Sequence, residues 1–159
     1  MRILLLLLLT IFINATEPPV QKWEVNKTVT SNLDIVYNLD LKKYPKFLCE
    51  AKLKNGKIIK FVSVKAMMQV YYHQDYFLKK KLIEDKIDKM YVKDYLDGTK
   101  IEATKALYMF GSRLVGPHGD DLIPLKNEAN AKLYKLKYGG TKLLPYEKLS
   151  KGLIRYLDM

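Results

Sequence analysis

Few side chains in this chain of 159 residues are suited to chemistry. It has two histidines, His73 and His118, one cysteine, Cys49, and six methionines. Imidazole can carry a proton or bind a metal near neutral pH, and thiolate or thioether sulfur favours soft ions such as Cu(I). The donor in the most constrained setting is His118, held between Pro117 and Gly119 in Gly111-Ser112-Arg113-Leu114-Val115-Gly116-Pro117-His118-Gly119-Asp120-Asp121. Glycine permits positive φ or close backbone approach, and proline fixes φ near −65°. The stretch is therefore a turn of demanding geometry. It presents His118 either as a ligand or as an ordinary surface residue. Asp120 and Asp121 are candidates to orient its imidazole.

The other donors have plainer readings. Cys49 alternates with Phe47, Ala51 and Leu53, which makes it the inward residue of a half-buried strand. A single cysteine cannot form an internal disulfide, and no Cys-x-x-Cys motif is present. Met67 and Met68 fall on the apolar stripe of a helix, so core packing is expected for at least one of them. Met109 precedes Phe110-Gly111 on a strand and is a weak metal candidate. His73 ends a helix, where the dipole favours the protonated ring. The sequence contains no Ser/His/Asp constellation, no paired-carboxylate motif, no phosphate-binding glycine loop and no dense His/Asp/Glu cluster. The expectation is not an enzyme.

The elements that must position these residues follow from pattern. Asn55-Gly56 between Phe47–Leu53 and Lys57–Val62 signals a β-hairpin. Ser63 caps a helix that buries Val64, Met67, Met68, Tyr71 and Tyr72. Residues 74–89 form a helix or long loop with Leu82, Ile83 and Ile87 inward, and Met90–Tyr95 is a strand. Lys100–Ala103 continues extended. Further strands are predicted at Ala106–Phe110, Asp121–Leu125 and Thr141–Tyr146. Asn127 caps a helix that buries Ala131, Tyr134 and Tyr138, with Leu133 and Leu136 beside them, and Gly139 ends it. The expected class is α+β: two similar ββαβ units packed together, preceded by a signal peptide and a polar N-terminal arm. The halves are about 34–95 and 96–147 of a domain over 34–147, and 148–159 is a C-terminal tail with a short helix. A cleft between the halves is the default ligand site.

Arg2 and the apolar run Ile3–Ile13, with Ile13-Asn14-Ala15 as a cleavage site, read as a secretory signal over residues 1–15. That run is too short to span a bilayer, which takes about 20 residues. Residues 16–33, with Trp23, read as a flexible or loosely strand-forming arm. The expected address is periplasmic; with no cysteine at the cleavage region the chain is not a lipoprotein, and cleavage leaves no stable membrane span. The net charge is +11, almost all from lysine scattered along the chain. Lysine lacks the bidentate fork that suits phosphate and base edges, and no nucleic-acid motif is present. The charge reads as a solubility feature, and nucleic acid is not expected as a partner.

In order and spacing the chain also resembles a known family. The residues are Tyr108-Met109-Phe110-Gly111-Ser112, Gly116-Pro117-His118-Gly119, Leu122-Ile123-Pro124, Ala131, Tyr134 and Gly139-Gly140. Upstream, Lys43-Tyr44-Pro45, Asn55-Gly56, Met67 or Met68 before Tyr71-Tyr72, and Tyr91-Val92-Lys93-Asp94-Tyr95 fall in matching places. Together they resemble NosL, the nitrous-oxide-reductase accessory proteins of denitrification, over about 34–147. The resemblance implies an exported, chaperone-like protein that binds Cu(I) and delivers it within a periplasmic or membrane-attached copper-enzyme maturation complex. It implies ligands from a Cys-x-x-Cys-Gly-Met motif and from the methionine of Gly-Pro-Met-Gly. This chain departs at both places. The segment Asp34-Ile35-Val36-Tyr37-Asn38-Leu39 has no sulfur, and His118 replaces the methionine. Gly111, Ser112, Gly116, Pro117 and Gly119 are the retained scaffold, and His118 is the candidate ligand of a rebuilt copper site. The alternative is a non-metal envelope interaction or assembly module on the same fold.

Overall fold

The computed structural model describes residues 32–159. The expectations for the signal peptide and for most of the arm, Trp23 included, lie outside these residues. Among these residues the fold is a mixed helix-and-sheet one, with two sheets and four α-helices.

The first hairpin is β1 (Cys49–Leu53) against β2 (Ile58–Phe61), antiparallel with Cys49 opposite Phe61. Gly56 takes φ 87° at the turn, where a side chain would be strained. Ser63 then caps α1 (Val64–Tyr72) by accepting from the Ala66 N–H. A second helix, α2 (Gln74–Lys79), and a loop return the chain to β3 (Ile87–Lys93), which pairs antiparallel with β1. Ile83 and Ile87 point inward as expected. β4 (Lys100–Glu102) pairs with β3, giving the order β2-β1-β3-β4. By strand pairing the first sheet extends to Glu102. The Asp97-Gly98 turn folds β4 back on β3.

The second sheet has the order β6-β5-β7. It comprises β5 (Leu107–Phe110), β6 (Ile123–Leu125) and β7 (Lys142–Pro145). The glycine-rich stretch joins β5 to β6, and α3 (Glu128–Tyr138) joins β6 to β7. Ala131 and Tyr134 are buried and Tyr138 packs beside them, but Leu133 and Leu136 are exposed. At about 100° per residue, Leu136 lies some 200° around the helix from Tyr134, and so faces away from the sheet.

The last segment, α4 (Lys151–Leu157), is an integral part of the fold. Leu149, Ile154 and Leu157 join the main core with residues of α1 and both sheets. α1 is consequently buried on nearly every side, including Lys65 and Gln69, rather than along one stripe. A buried carboxylate ties the sheets together elsewhere. Asp94 accepts from the N–H groups of Leu96 (2.8 Å) and Lys126 (2.7 Å), and from the Asn130 amide (2.9 Å).

Candidate functional site

The turn at Gly116–Gly119 closes on itself: the Gly116 N–H donates to the Gly119 carbonyl at 2.7 Å. Gly119 has φ 78°, and a Cβ on Gly116 would meet the Asp121 Cβ at 2.8 Å. These constraints account for two of the three scaffold glycines and set His118 at the apex. Ser112, at the start of the stretch, is held differently: the Tyr134 hydroxyl donates to its Oγ at 3.0 Å.

His118 lines an open pocket of about 550 Å³ with Lys65, Gly119, Asp120, Tyr156, Leu157, Asp158 and Met159. Its imidazole is half exposed and stacks on the Tyr37 ring, centroids 4.0 Å apart and planes within 10°. Tyr37 is fixed there by Asp34. The Asp34 Oδ1 accepts from the Val36 (2.9 Å) and Tyr37 (2.7 Å) N–H groups, and its Oδ2 accepts from Val62 N–H at 3.2 Å. This is an Asx turn, a local device that shapes a loop without secondary structure. The sulfur-free segment and the His118 turn are therefore in direct contact.

The carboxylate facing His118 is Asp158, with Oδ1 3.9 Å from Nδ1. Of the two residues expected to orient the ring, Asp120 lines the pocket, whereas Asp121 points elsewhere: it accepts from the Lys65 backbone N–H at 3.0 Å and from Leu122 N–H at 2.8 Å. It thus caps the start of α1 alongside Ser63, because an orphan helix N–H group attracts a carboxylate more strongly than a half-exposed imidazole. The Asp121 Oδ2 has no hydrogen-bond partner among the described residues. Burial raises the Asp121 carboxyl above 3.8, opposed by the Ser63 hydroxyl and by the Leu122 and Lys65 N–H groups. Burial likewise raises Asp34, against its backbone hydrogen bonds and the nearby His118.

Sequence reasoning missed Lys65. Its side chain is buried in the first turn of α1, where the helix dipole disfavours a cation. The ammonium donates to the carbonyls of His118 (2.6 Å) and Leu157 (2.9 Å) and lies 3.6 Å from Asp158. It also sits 5.5 Å from the centre of the Tyr37 ring. Asp158 accepts in addition from the Tyr37 hydroxyl (2.7 Å) and the Gln69 amide (3.2 Å). Burial first, and then this bond to Asp158, push the Tyr37 phenol far above its usual range. The only advance signal of Lys65 was a lysine one place after an apolar helix start. Asp158 gave none, because its partners lie 40 to 121 residues away in sequence.

The remaining candidates are apart from the pocket. Met109 is buried in the second core cluster, beside Ile123 and Tyr134, and is not among the pocket-lining residues. Met67 and Met68 are both core residues, where at least one was expected. Cys49 is buried, its Sγ donates to the Phe47 carbonyl at 3.3 Å, and desolvation pushes the thiol well above 9. His73 does end α1, yet burial first and Lys151 second lower its pKa below 6.5, against the dipole expectation. Among the described residues, no group of three or more His, Cys, Asp or Glu side chains is arranged to hold a metal. No helix among them is long and apolar enough to cross a membrane.

A family profile described as NosL matches residues 30–154. Among solved structures, the copper chaperone NosL from Shewanella denitrificans is similar at 20% identity, with a TM-score of 0.56, over 85% of this chain and 99% of that one. The apo-NosL protein from Achromobacter cycloclastes is similar at 20% identity, with a TM-score of 0.40, over 67% of this chain and 87% of that one. No curated protein matches.

Proposed function

The chain belongs to the NosL family, and on that premise we propose that it is an exported accessory protein that binds Cu(I) through His118 and hands it to a periplasmic copper enzyme such as nitrous oxide reductase. The observation that carries this reading is the contact between Tyr37 and His118. It means that the two sequence segments from which the family resemblance draws its copper ligands meet at one place in this fold.

The chemistry of that place is compatible with a Cu(I) cargo. Imidazole is a competent Cu(I) donor, and the Asp158 carboxylate opposite Nδ1 favours the tautomer with its proton there. That tautomer leaves the Nε2 lone pair for the metal. Lys65 and Asp158 offset each other's charge, so the pocket floor presents no bare cation against an arriving ion. The half exposure of His118 suits transfer, because a recipient's ligands need access to the ion. Reading the two sheets as two related ββαβ units, packed through α1 and α4, belongs to the same proposal.

Anaerobic titration of the mature protein against a bicinchoninate-type Cu(I) probe tests the reading. One equivalent withdrawn by the wild type, and none by His118→Ala with unchanged circular dichroism, is the expected result. Failure of the wild type to compete contradicts it. One observation favours the alternative, a non-metal interaction module: the Lys65 ammonium already satisfies Asp158 and two carbonyls beside the turn. That module shows a stable envelope partner and no Cu(I) uptake.

A further inference from the structure

We propose that Met159 is the second Cu(I) donor at the His118 site, carried there by α4. The inference rests on the Cu(I) reading of His118. Imidazole alone is a weak basis for holding Cu(I), which favours soft sulfur ligands. Of the sulfur-bearing side chains among the described residues, only Met159 lines the pocket of His118.

The backbone that carries it is held through its neighbour. The residue before it, Asp158, has a buried side chain anchored by the Tyr37 hydroxyl at 2.7 Å, the Gln69 amide at 3.2 Å and the Lys65 ammonium at 3.6 Å. The same carboxylate oxygen stands 3.9 Å from the His118 Nδ1. Lys65 further ties the Leu157 carbonyl and the His118 carbonyl to one ammonium. Met159 thus leaves the fold one residue beyond a group fixed against the imidazole. Its unbranched side chain has three rotatable bonds with which to bring the sulfur to an ion on that ring.

Among the described residues, Met159 packs into neither core cluster. Met67, Met68, Met90 and Met109 are all at most 6% exposed, whereas Met159 is 98% exposed. A thioether kept in solvent beside an accessible imidazole is available to a metal without any core rearrangement. Binding adds one Cu–N and one Cu–S bond, uses neutral donors and changes no oxidation state.

The test compares the wild type, Met159→Leu and His118→Ala in anaerobic competition with the bicinchoninate probe, together with copper K-edge absorption of the loaded proteins. Leucine keeps the apolar volume and removes only the sulfur. The expected result is at least tenfold weaker Cu(I) affinity in Met159→Leu and loss of the Cu–S scattering seen in the wild type. Equal affinity and an unchanged Cu–S signal in Met159→Leu, with binding lost in His118→Ala, overturns the Met159 assignment and leaves the His118 reading standing. Wild-type protein that takes up no Cu(I), or His118→Ala that binds like the wild type, overturns both.

Discussion

The phenol ring of Tyr37 lies flat on the imidazole of His118, 4.0 Å away, although 81 positions separate them in sequence. Each ring is held by its own local device: an Asx turn at Asp34 on one side, and the Gly116–Gly119 closure on the other. The stack is where the first part of the domain meets the glycine-rich turn. Asp158 links both rings to the end of α4.

Removing the Tyr37 hydroxyl isolates one part of this link. Tyr37→Phe keeps the stack but leaves Asp158 without its 2.7 Å donor. The loss of one hydrogen bond to a charged group predicts destabilisation of about 1.5–3 kcal/mol, read as a lower urea midpoint with an unchanged slope. An unchanged midpoint shows that water replaces the phenol at no cost.

Asp121 sets a pH dependence. Its folded pKa is raised above 3.8, chiefly by burial, so the folded state binds this proton more tightly than the unfolded chain does. Its contribution is therefore fully present below about pH 3.8 and is lost as pH rises through the folded pKa. Urea unfolding of the wild type and of Asp121→Asn across this range checks it. The stability difference, Asp121→Asn minus wild type, is expected to grow with rising pH and then level off. A difference independent of pH contradicts the assignment.

Gly140 is a packing test away from the site. A Cβ there would fall 2.2 Å from the Met109 sulfur, with the backbone at φ 146°. Gly140→Ala is expected to destabilise by about 1–3 kcal/mol, measured as a fall in Tm. Met109→Ala in the same background relieves the clash, so the double variant loses less than the sum of the two single changes.

Cys49 should behave as an inert core thiol. It is 1% exposed and its thiolate is strongly disfavoured by desolvation. A disulfide reagent at pH 8 is expected to leave it unmodified in folded protein and to modify one thiol in denaturant. Rapid reaction of folded protein contradicts the buried placement.

Much of this architecture was legible in the sequence wherever local rules dominate. The Asn55-Gly56 turn, the Ser63 and Asn127 caps and the Gly139 stop all hold, because each is decided within a few residues. The alternation that placed Cys49 inward held for the same reason. Legibility ended where tertiary partners decide. Nothing near Lys65 announces that its ammonium will be wrapped by His118 and Leu157 carbonyls. Asp121, adjacent in sequence to the turn, was drawn to the α1 N-terminus instead, and Asp158 took the place beside His118. The candidate site was thus half visible: its apex residue came from the turn, and its surroundings came from α1, α4 and an Asx loop.

The central claim is that Cu(I) binds at the His118 ring, and long-range ¹H–¹⁵N spectra of the two imidazoles test it most directly. With one equivalent of Cu(I) added anaerobically, the account predicts that the His118 ring nitrogens shift, Nε2 most of all, while those of His73 stay in place. Spectra in which neither ring responds, or in which only His73 does, contradict it.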